Sequence, residues 1–269
     1  ANKAITSLKL AGVINDLHAK WFGALAEDTT STVRVVPMPA TDEGLILDFV
    51  DTFLNTDVFM QTYPMLIAGL VVTIQLGFIA IIAGLIFGLL LALSKLYGHK
   101  AIQVAAKAYI DIFRSIPLLV LLIIIFYALP FVGLSFSPFN AAAVALTLVS
   151  GAYTAEIFRA GIEAVPQGQF EASEALGLSY KNTMVEIILP QAIKIVIPPL
   201  TNNCINVIKD TALASVVAMP DLLKQATQAQ AVAANPTPLI AAAVIYLMFL
   251  LPLVLWVSRL EVKLRRGSR

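Results

Sequence analysis

The chain has 269 residues, of which 59% are hydrophobic and only 13% charged, and its mean hydropathy is +0.85. Soluble domains carry about 25% charged residues, so this composition indicates a membrane protein and excludes an ordinary water-soluble fold. The net charge of +1 gives no support for a nucleic-acid partner, and the single cysteine excludes an intrachain disulfide. No Cys/His cluster has zinc spacing and no phosphate-binding G-x-x-x-x-G-K-[ST] loop occurs, so neither a metal nor a nucleotide site is expected.

The first 62 residues precede any hydrophobic span. Residues 2–23 are amphipathic, with a break at Gly12. Residues 24–40 contain Thr, Val and Pro and predict a linker, and residues 42–62 predict an amphipathic lead-in to the membrane.

Three membrane spans are predicted in the first half of the remaining chain, because a membrane helix needs about 20 mostly apolar residues. Residues 63–94 form one uncharged run, long enough for one tilted span. Residues 115–155 are also uncharged but too long for one helix. We expect Ser115 to cap the second span, Pro117 to lie in its first turn, and the third span to cover about 141–162. The turn between them is predicted from Pro130, Gly133, Pro138 and Asn140.

Two further spans complete the predicted bundle. A fourth begins near Pro190, and a fifth lies within 237–258, with a polar segment at 220–234 predicted as an amphipathic helix outside the membrane. That segment could cap a cavity or meet a receptor, or be a plain connector. The predicted fold class is therefore an all-α membrane protein with five transmembrane helices. Glycines on the first span, listed here, suit close helix contact: Gly69, Gly77, Gly84 and Gly88.

The distribution of lysine and arginine predicts the orientation of the chain. Basic residues cluster after the first span, around and after the third, and after the fifth, and all these segments fall on one side. Since short basic loops stay in the cytoplasm, the N-terminus is predicted outside and the C-terminus inside. The loop after the first span carries four of these charges: Lys95, Lys100, Lys107 and Arg114.

A polar segment at 163–190 separates the third and fourth spans on this cytoplasmic side. Residues 170–176 favour a short helix, Gly177 fits a left-handed terminator, and Ser179 can cap a second helical segment that ends at Pro190. The first helix is predicted to present a small-residue face of Ala172, Ser173 and Ala175, flanked by Glu171 and Glu174. From periodicity alone, the segment could be a solvated loop or a surface that binds another protein.

The same residues resemble a known motif. Glu171-Ala172-Ser173, then Gly177, nine residues and Ile187-Ile188-Leu189-Pro190 resemble the EAA motif of permease subunits in bacterial ABC importers, with Ser173 as a mild departure. The stretches at 150–179 and 189–216 resemble the polar amino-acid branch of that family, which carries His, Glu, Gln, Arg or opines. The resemblance covers 63–266 and implies a type I ABC importer permease fold. It also implies that 171–177 couple to an ATPase: Glu171, Ala172, Ser173, Glu174, Ala175, Leu176 and Gly177.

The family resemblance carries expectations about partners. It implies a multi-pass protein of the bacterial cytoplasmic membrane that works as a homodimer or as a heterodimer with a paralogous permease. Two cytoplasmic ABC ATPase subunits would bind ATP and Mg²⁺, so no cofactor is expected in this chain. An extracytoplasmic amino-acid-binding protein would deliver the substrate. Residues 2–23, which end in Lys20-Trp21-Phe22-Gly23, resemble the end of such a binding protein, so 1–23 is interpreted as the remnant of a fused substrate-binding domain. The alternative is an amphipathic helix on the outer membrane face.

Two clusters of polar residues within the spans are candidates for the translocation path, because ionisable groups are costly in the membrane. Tyr153, Glu156 and Arg159 lie on the third span, where Glu156 and Arg159 share a helix face and could instead form an internal ion pair. On the fourth span, the helical spacing of Asn203, Asn206 and Asp210 predicts one polar ridge, which could bind an amino acid or make interhelical hydrogen bonds. Lys209 is expected to point elsewhere or to pair with Asp210. Members of the resembled family often carry an acidic residue where Asn203 stands, which favours neutral or acidic amino acids as cargo.

Two other functions are alternatives to an ABC permease. An ion-coupled secondary transporter would show an internal inverted repeat and discontinuous helices. A non-transporting membrane scaffold would not need three polar side chains on one face of a span. Five spans and one EAA segment favour the permease.

Overall fold

The computed structural model describes residues 49–266, and their regular structure is entirely helical. Helical residues 49–53 lead into α1, Thr56–Tyr97. The predictions for the remnant at 1–23 and for the linker and lead-in as far as residue 48 lie outside the described residues. The last part of the predicted lead-in is not a separate element, because residues 56–62 form the first turns of α1.

Eight further α-helices, two π-helices and two 3-10 helices follow α1 in the described residues. α2 is Lys100–Ser115, and α3 is Leu118–Ile123, continued by a π-helix, Ile124–Ala128, and a 3-10 helix, Leu129–Val132. α4 is Pro138–Glu163, α5 is Gln167–Ala175, and α6 is Tyr180–Asn182, which a π-helix, Thr183–Ile188, joins to α7, Leu189–Asp210. A 3-10 helix, Thr211–Val217, extends α7, and α8, Leu222–Ala233, and α9, Thr237–Arg266, complete the fold.

The number of spans agrees with the sequence. Four stretches of the described chain are long and apolar enough to cross a membrane: 49–97, 138–163, 180–217 and 237–261. The pair α2 and α3, bent by 100°, supplies a fifth when it is counted as one span. The prediction of an all-α protein with five spans is confirmed, and the orientation of the termini stays a prediction.

Small residues hold α1 against α4. A Cβ atom on Gly84 would lie 2.6 Å from the Ser150 Oγ, and one on Gly88 would lie 2.6 Å from the Thr154 Cβ. Because side chains that small let backbones approach closely, the two helices pack along a shared seam. The main apolar core lies beside it, where α1, α3, α4 and the end of α7 meet around Leu76, Leu122 and Val217.

The segment after the fourth span is a helix, as predicted, and it is fixed to α1. The Thr73 hydroxyl accepts a hydrogen bond from the backbone N–H of Leu222 at 3.1 Å. A Cβ atom on Gly69 would lie 2.8 Å from the Asp221 carbonyl oxygen, so only glycine allows this contact. α8 therefore begins on the surface of α1 and is not a loose connector.

Three local predictions are wrong. The loop after the first span is the helix α2, whose Ala106 and Ile110 are buried. Pro117 is the N-cap residue of α3, so Ser115 ends the preceding helix and caps nothing. Pro190 does not end a helix, because the wider π-helical turn before it accommodates a ring that would clash with a regular α turn.

Candidate functional site

A cavity of about 350 Å³ lies between α3, α4 and α7. This volume is in the range of small-molecule sites. Its apolar wall comes from Leu118, Leu146, Val149 and Val207, and its polar wall from Ser150, Tyr153, Asn203, Asn206, Lys209 and Asp210.

Four of the six residues predicted for the translocation path line this cavity. Asn203, Asn206 and Asp210 share one face of α7, as their spacing predicts, and Tyr153 faces them from α4. The amide of Asn203 also serves the packing of the bundle, since its Nδ2 donates to the Thr154 Oγ1 at 3.2 Å. The structure therefore shows the interhelical hydrogen bond for Asn203, and the binding of an amino acid by the ridge stays a prediction.

Glu156 and Arg159 lie outside the cavity lining. They form an ion pair on α4, in which the Arg159 Nε donates to the Glu156 Oε1 at 3.1 Å. Lys95 of α1 also donates to Glu156, at 3.0 Å, and Arg159 pairs with Glu163 one turn further on. For these two residues the structure gives the internal ion pair and not a direct place in the cavity.

Lys209 is a cavity residue that sequence reasoning missed. Its neighbour Asp210 points into the same space, and successive helical side chains differ in direction by about 100°. The four-carbon stem of lysine is long enough to cover that difference, so Lys209 contributes to a cavity lining that its backbone position would not predict. No ion pair within 4.0 Å joins Lys209 and Asp210 in the part of the chain that the structure describes. Ser150 was also missed; its position one turn before Tyr153 was the available signal.

An apolar cluster packs against the segment between α4 and α7. Val165, Met184, Ile188 and Ala192 are buried together, with Phe170 of α5 packed against them. The Gln191 Nε2 also donates to the Gln169 Oε1, at 3.3 Å. α5 is thus packed against the ends of both neighbouring spans.

The exposed side of α5 differs from the prediction at one residue. Glu171, Ala172, Glu174 and Ala175 are exposed, and Leu176 projects with 77% of its surface accessible. Ser173 is buried, and its hydroxyl donates to the Gln169 carbonyl. The prediction that Ser173 lies on the presented face is therefore wrong, because in this EAA-like segment its small side chain is buried within the protein.

The turn after α5 has the predicted geometry. Gly177 has a φ of +70°, in the left-handed region, and its N–H donates to the Glu174 carbonyl. The next N–H, of Leu178, donates to the Ser173 carbonyl at 3.1 Å. The Ser179 Oγ then accepts from the Asn182 N–H, which confirms the second cap.

Comparison with known proteins shows which family the chain resembles. Residues 84–266 match the family described as "Binding-protein-dependent transport system inner membrane component". The chain is 40% identical over 172 residues to the probable amino-acid ABC transporter permease protein YckA of Bacillus subtilis, covering 64% of this chain and 76% of YckA. It is 36% identical over 215 residues to the probable glutamine ABC transporter permease protein GlnM of the same organism, covering 80% of this chain and all of GlnM.

A solved structure has the same fold. The structure described as "Crystal structure of an amino acid ABC transporter with histidines" superposes with a TM-score of 0.73 at 38% sequence identity. The match covers 76% of this chain and 96% of that one.

Proposed function

Because this chain belongs to the family of inner-membrane components of binding-protein-dependent transport systems, we propose that it translocates polar amino acids across the bacterial cytoplasmic membrane. It is a permease subunit that works by alternating access and is driven by a separate ATPase. The observation that carries the choice of substrate is the cavity between α3, α4 and α7.

The cavity suits the two charges that every amino acid carries. The Lys209 ammonium can bind the α-carboxylate, and the Asp210 carboxylate can bind the α-ammonium group. Asn203 and Asn206 offer amide groups that can donate to or accept from a polar side chain. Since the lysine and aspartate charges cancel, no net charge remains for the substrate side chain. We infer a preference for neutral polar amino acids such as glutamine over arginine or glutamate.

In this proposal, α5 transmits the conformational change of the ATPase to the membrane spans. Its exposed carboxylates and the projecting Leu176 form a surface that a groove in an ABC ATPase can receive. The apolar cluster beneath α5 joins that surface to α4 and α7, which carry most of the cavity lining. Closure of the ATPase on ATP and Mg²⁺ would thereby bias the bundle between its two access states. In this proposal the partner ATPase carries out the hydrolysis of ATP. The chain forms a dimer with a second copy of itself or with a paralogous permease, and this dimer receives the substrate from an external binding protein.

The test is ATP hydrolysis by the permease–ATPase complex in lipid nanodiscs, without an external binding protein, so that the dependence on amino-acid concentration reports the membrane cavity. L-Glutamine, L-glutamate, L-arginine and L-histidine are titrated separately. Stimulation by L-glutamine at the lowest concentration supports the proposal. Absence of stimulation by every amino acid, in a complex that hydrolyses ATP, contradicts it.

A further inference from the structure

Arg114 lies between the cavity and the ion pairs around Glu156. It lies in the last turn of α2, just before the 100° bend into α3. Its guanidinium carbon is 5.5 Å from the centre of the Tyr153 ring, and Tyr153 lines the cavity. The Tyr153 hydroxyl donates to the Arg114 backbone carbonyl at 3.4 Å. Arg114 therefore contacts both the face and the hydroxyl end of this ring.

The Arg114 guanidinium also lies beside an ion-pair network. The Arg114 Nη1 is 4.0 Å from the Glu156 Oε1, and Lys95 and Arg159 contact the same carboxylate. The network continues to Glu163, the last residue of α4, four residues before the start of α5. Arg114 thus joins a ring in the cavity wall to charges that extend toward the coupling segment.

We propose that Arg114 is a positioning residue for transport: it holds the Tyr153 ring against the bound amino acid and links that position to the ion-pair network. This inference rests on the proposed function, because it assumes that the cavity binds an amino acid. Guanidinium–ring attraction and the charge of Glu156 therefore act on the same group. A substrate that fixes the ring would also fix Arg114, and a shift of α4 that rearranges the network would release the ring.

Arg114 can be replaced without leaving a charge unpaired. Glu156 keeps Lys95 at 3.0 Å and the Arg159 contact when Arg114 is removed. The Arg114→Gln variant should therefore assemble with the ATPase. A change at Glu156, in contrast, would remove the ion-pair partner of the partly buried Lys95. The matched control is Lys107→Gln, which removes a positive charge from an exposed position on the same helix, with no ion pair among the described residues.

The experiment measures L-glutamine-stimulated ATP hydrolysis by the permease–ATPase complex in nanodiscs. For Arg114→Gln we expect the half-maximal L-glutamine concentration to rise about threefold to tenfold, while hydrolysis without amino acid stays within the range of the Lys107→Gln control. Arg114→Lys, which keeps the charge but loses the planar group, should give an intermediate value. Tyr153→Leu should raise the concentration similarly, and the double variant Arg114→Gln/Tyr153→Leu should be no worse than the Tyr153→Leu variant.

The outcomes separate the two proposals. If the unmodified complex is stimulated but the Arg114 and Tyr153 effects multiply, or Arg114→Gln matches Lys107→Gln, the positioning role is overturned. If Arg114→Gln fails to assemble, Arg114→Lys decides: an unchanged half-maximal concentration overturns the role, and a raised one supports it. If no amino acid stimulates the unmodified complex, the proposed function itself is contradicted.

Discussion

Gly88 on α1 and Thr154 on α4 lie so close that a Cβ atom on Gly88 would be 2.6 Å from both the Cβ and the Cγ2 of Thr154. The Thr154 hydroxyl also accepts from Asn203 of α7. Three spans therefore meet at one threonine, directly behind the polar ridge of the cavity. The position of Asn203 depends on how closely the first of these spans approaches.

Gly88→Ala should destabilise the permease by about 1–3 kcal/mol, because the added methyl group overlaps a β-branched side chain that has little freedom to turn away. The measurement is the thermal denaturation midpoint in detergent. Gly77→Ala is the matched control on the same helix: its Cβ atom would lie 3.3 Å from the Ile208 Cγ1, so a shift of a few tenths of an ångström would accommodate it. Equal midpoints for the two variants would contradict the close packing at Gly88.

Gly177→Val should uncouple ATP hydrolysis from transport while leaving the spans folded. Valine in the left-handed region costs about 1–2 kcal/mol, so the turn after α5 would adopt another conformation and tilt the coupling segment. No atom of the described permease chain lies within 4 Å of a Cβ atom added to Gly177, so the valine would not clash within the permease itself. The measurement is the number of ATP molecules hydrolysed per amino acid taken up by proteoliposomes, which should rise.

Gly168→Val is the control for that variant. Gly168 also lies on α5 with nothing within 4 Å of an added Cβ atom, but it has no positive φ. We expect it to keep the ratio of the unmodified protein. A normal ratio for Gly177→Val would argue that the turn geometry is not needed for coupling.

The spans and the coupling turn could be predicted because their signals are local. Long uncharged runs have few alternatives in a membrane, and Gly177 followed by Ser179 is a terminator and a cap whatever surrounds them. The three-residue and four-residue spacing on α7 likewise predicted that Asn203, Asn206 and Asp210 share a face.

The remaining features depend on contacts between distant parts of the chain. The burial of Ser173 depends on how α5 packs against the rest of the chain, which sequence spacing does not reveal. The helix α2 escapes prediction because its charges are typical of a cytoplasmic loop, although its apolar positions repeat at helical spacing. The place of Arg114 depends on the bend between α2 and α3, and no local pattern predicts its approach to Tyr153.

Asp210→Ala should raise the half-maximal L-glutamine concentration for stimulated ATP hydrolysis by about tenfold or more, because it removes a charged hydrogen-bond partner of the substrate ammonium group. Asn202→Ala is the control on the same helix. The Asn202 side chain donates to Glu261 at 3.1 Å and does not line the cavity. An unaltered concentration dependence for Asp210→Ala would remove this residue from the site.

Asp221 should make the attachment of α8 sensitive to pH. Its side chain is fully buried at the start of α8; the Oδ1 accepts from the Lys224 N–H at 2.9 Å, and the Oδ2 has no protein partner among the described residues. Burial raises the pKa of this carboxyl from 3.8 to about 6, and hydrogen bonds from the Lys224 and Leu223 N–H groups oppose the rise only in part. The other ionisable groups that act with it are Lys224 on the same helix and Tyr246 on α9.

The direction in which stability changes with pH follows from the pKa of Asp221, which is higher in the folded state than in the unfolded state. The folded state keeps its proton up to about pH 6, whereas the unfolded chain loses it near 3.8, so stability is greatest below that lower value. It falls as the pH rises through about 6, by about 3 kcal/mol in total. Asp221→Asn keeps the capping oxygen but cannot ionise. The denaturation midpoint of the unmodified protein should therefore drop relative to that of Asp221→Asn between pH 4.5 and pH 8, whereas the exposed control Asp111→Asn should follow the unmodified protein. Parallel curves for the unmodified protein and Asp221→Asn would show that this carboxyl does not titrate in the folded state over that range.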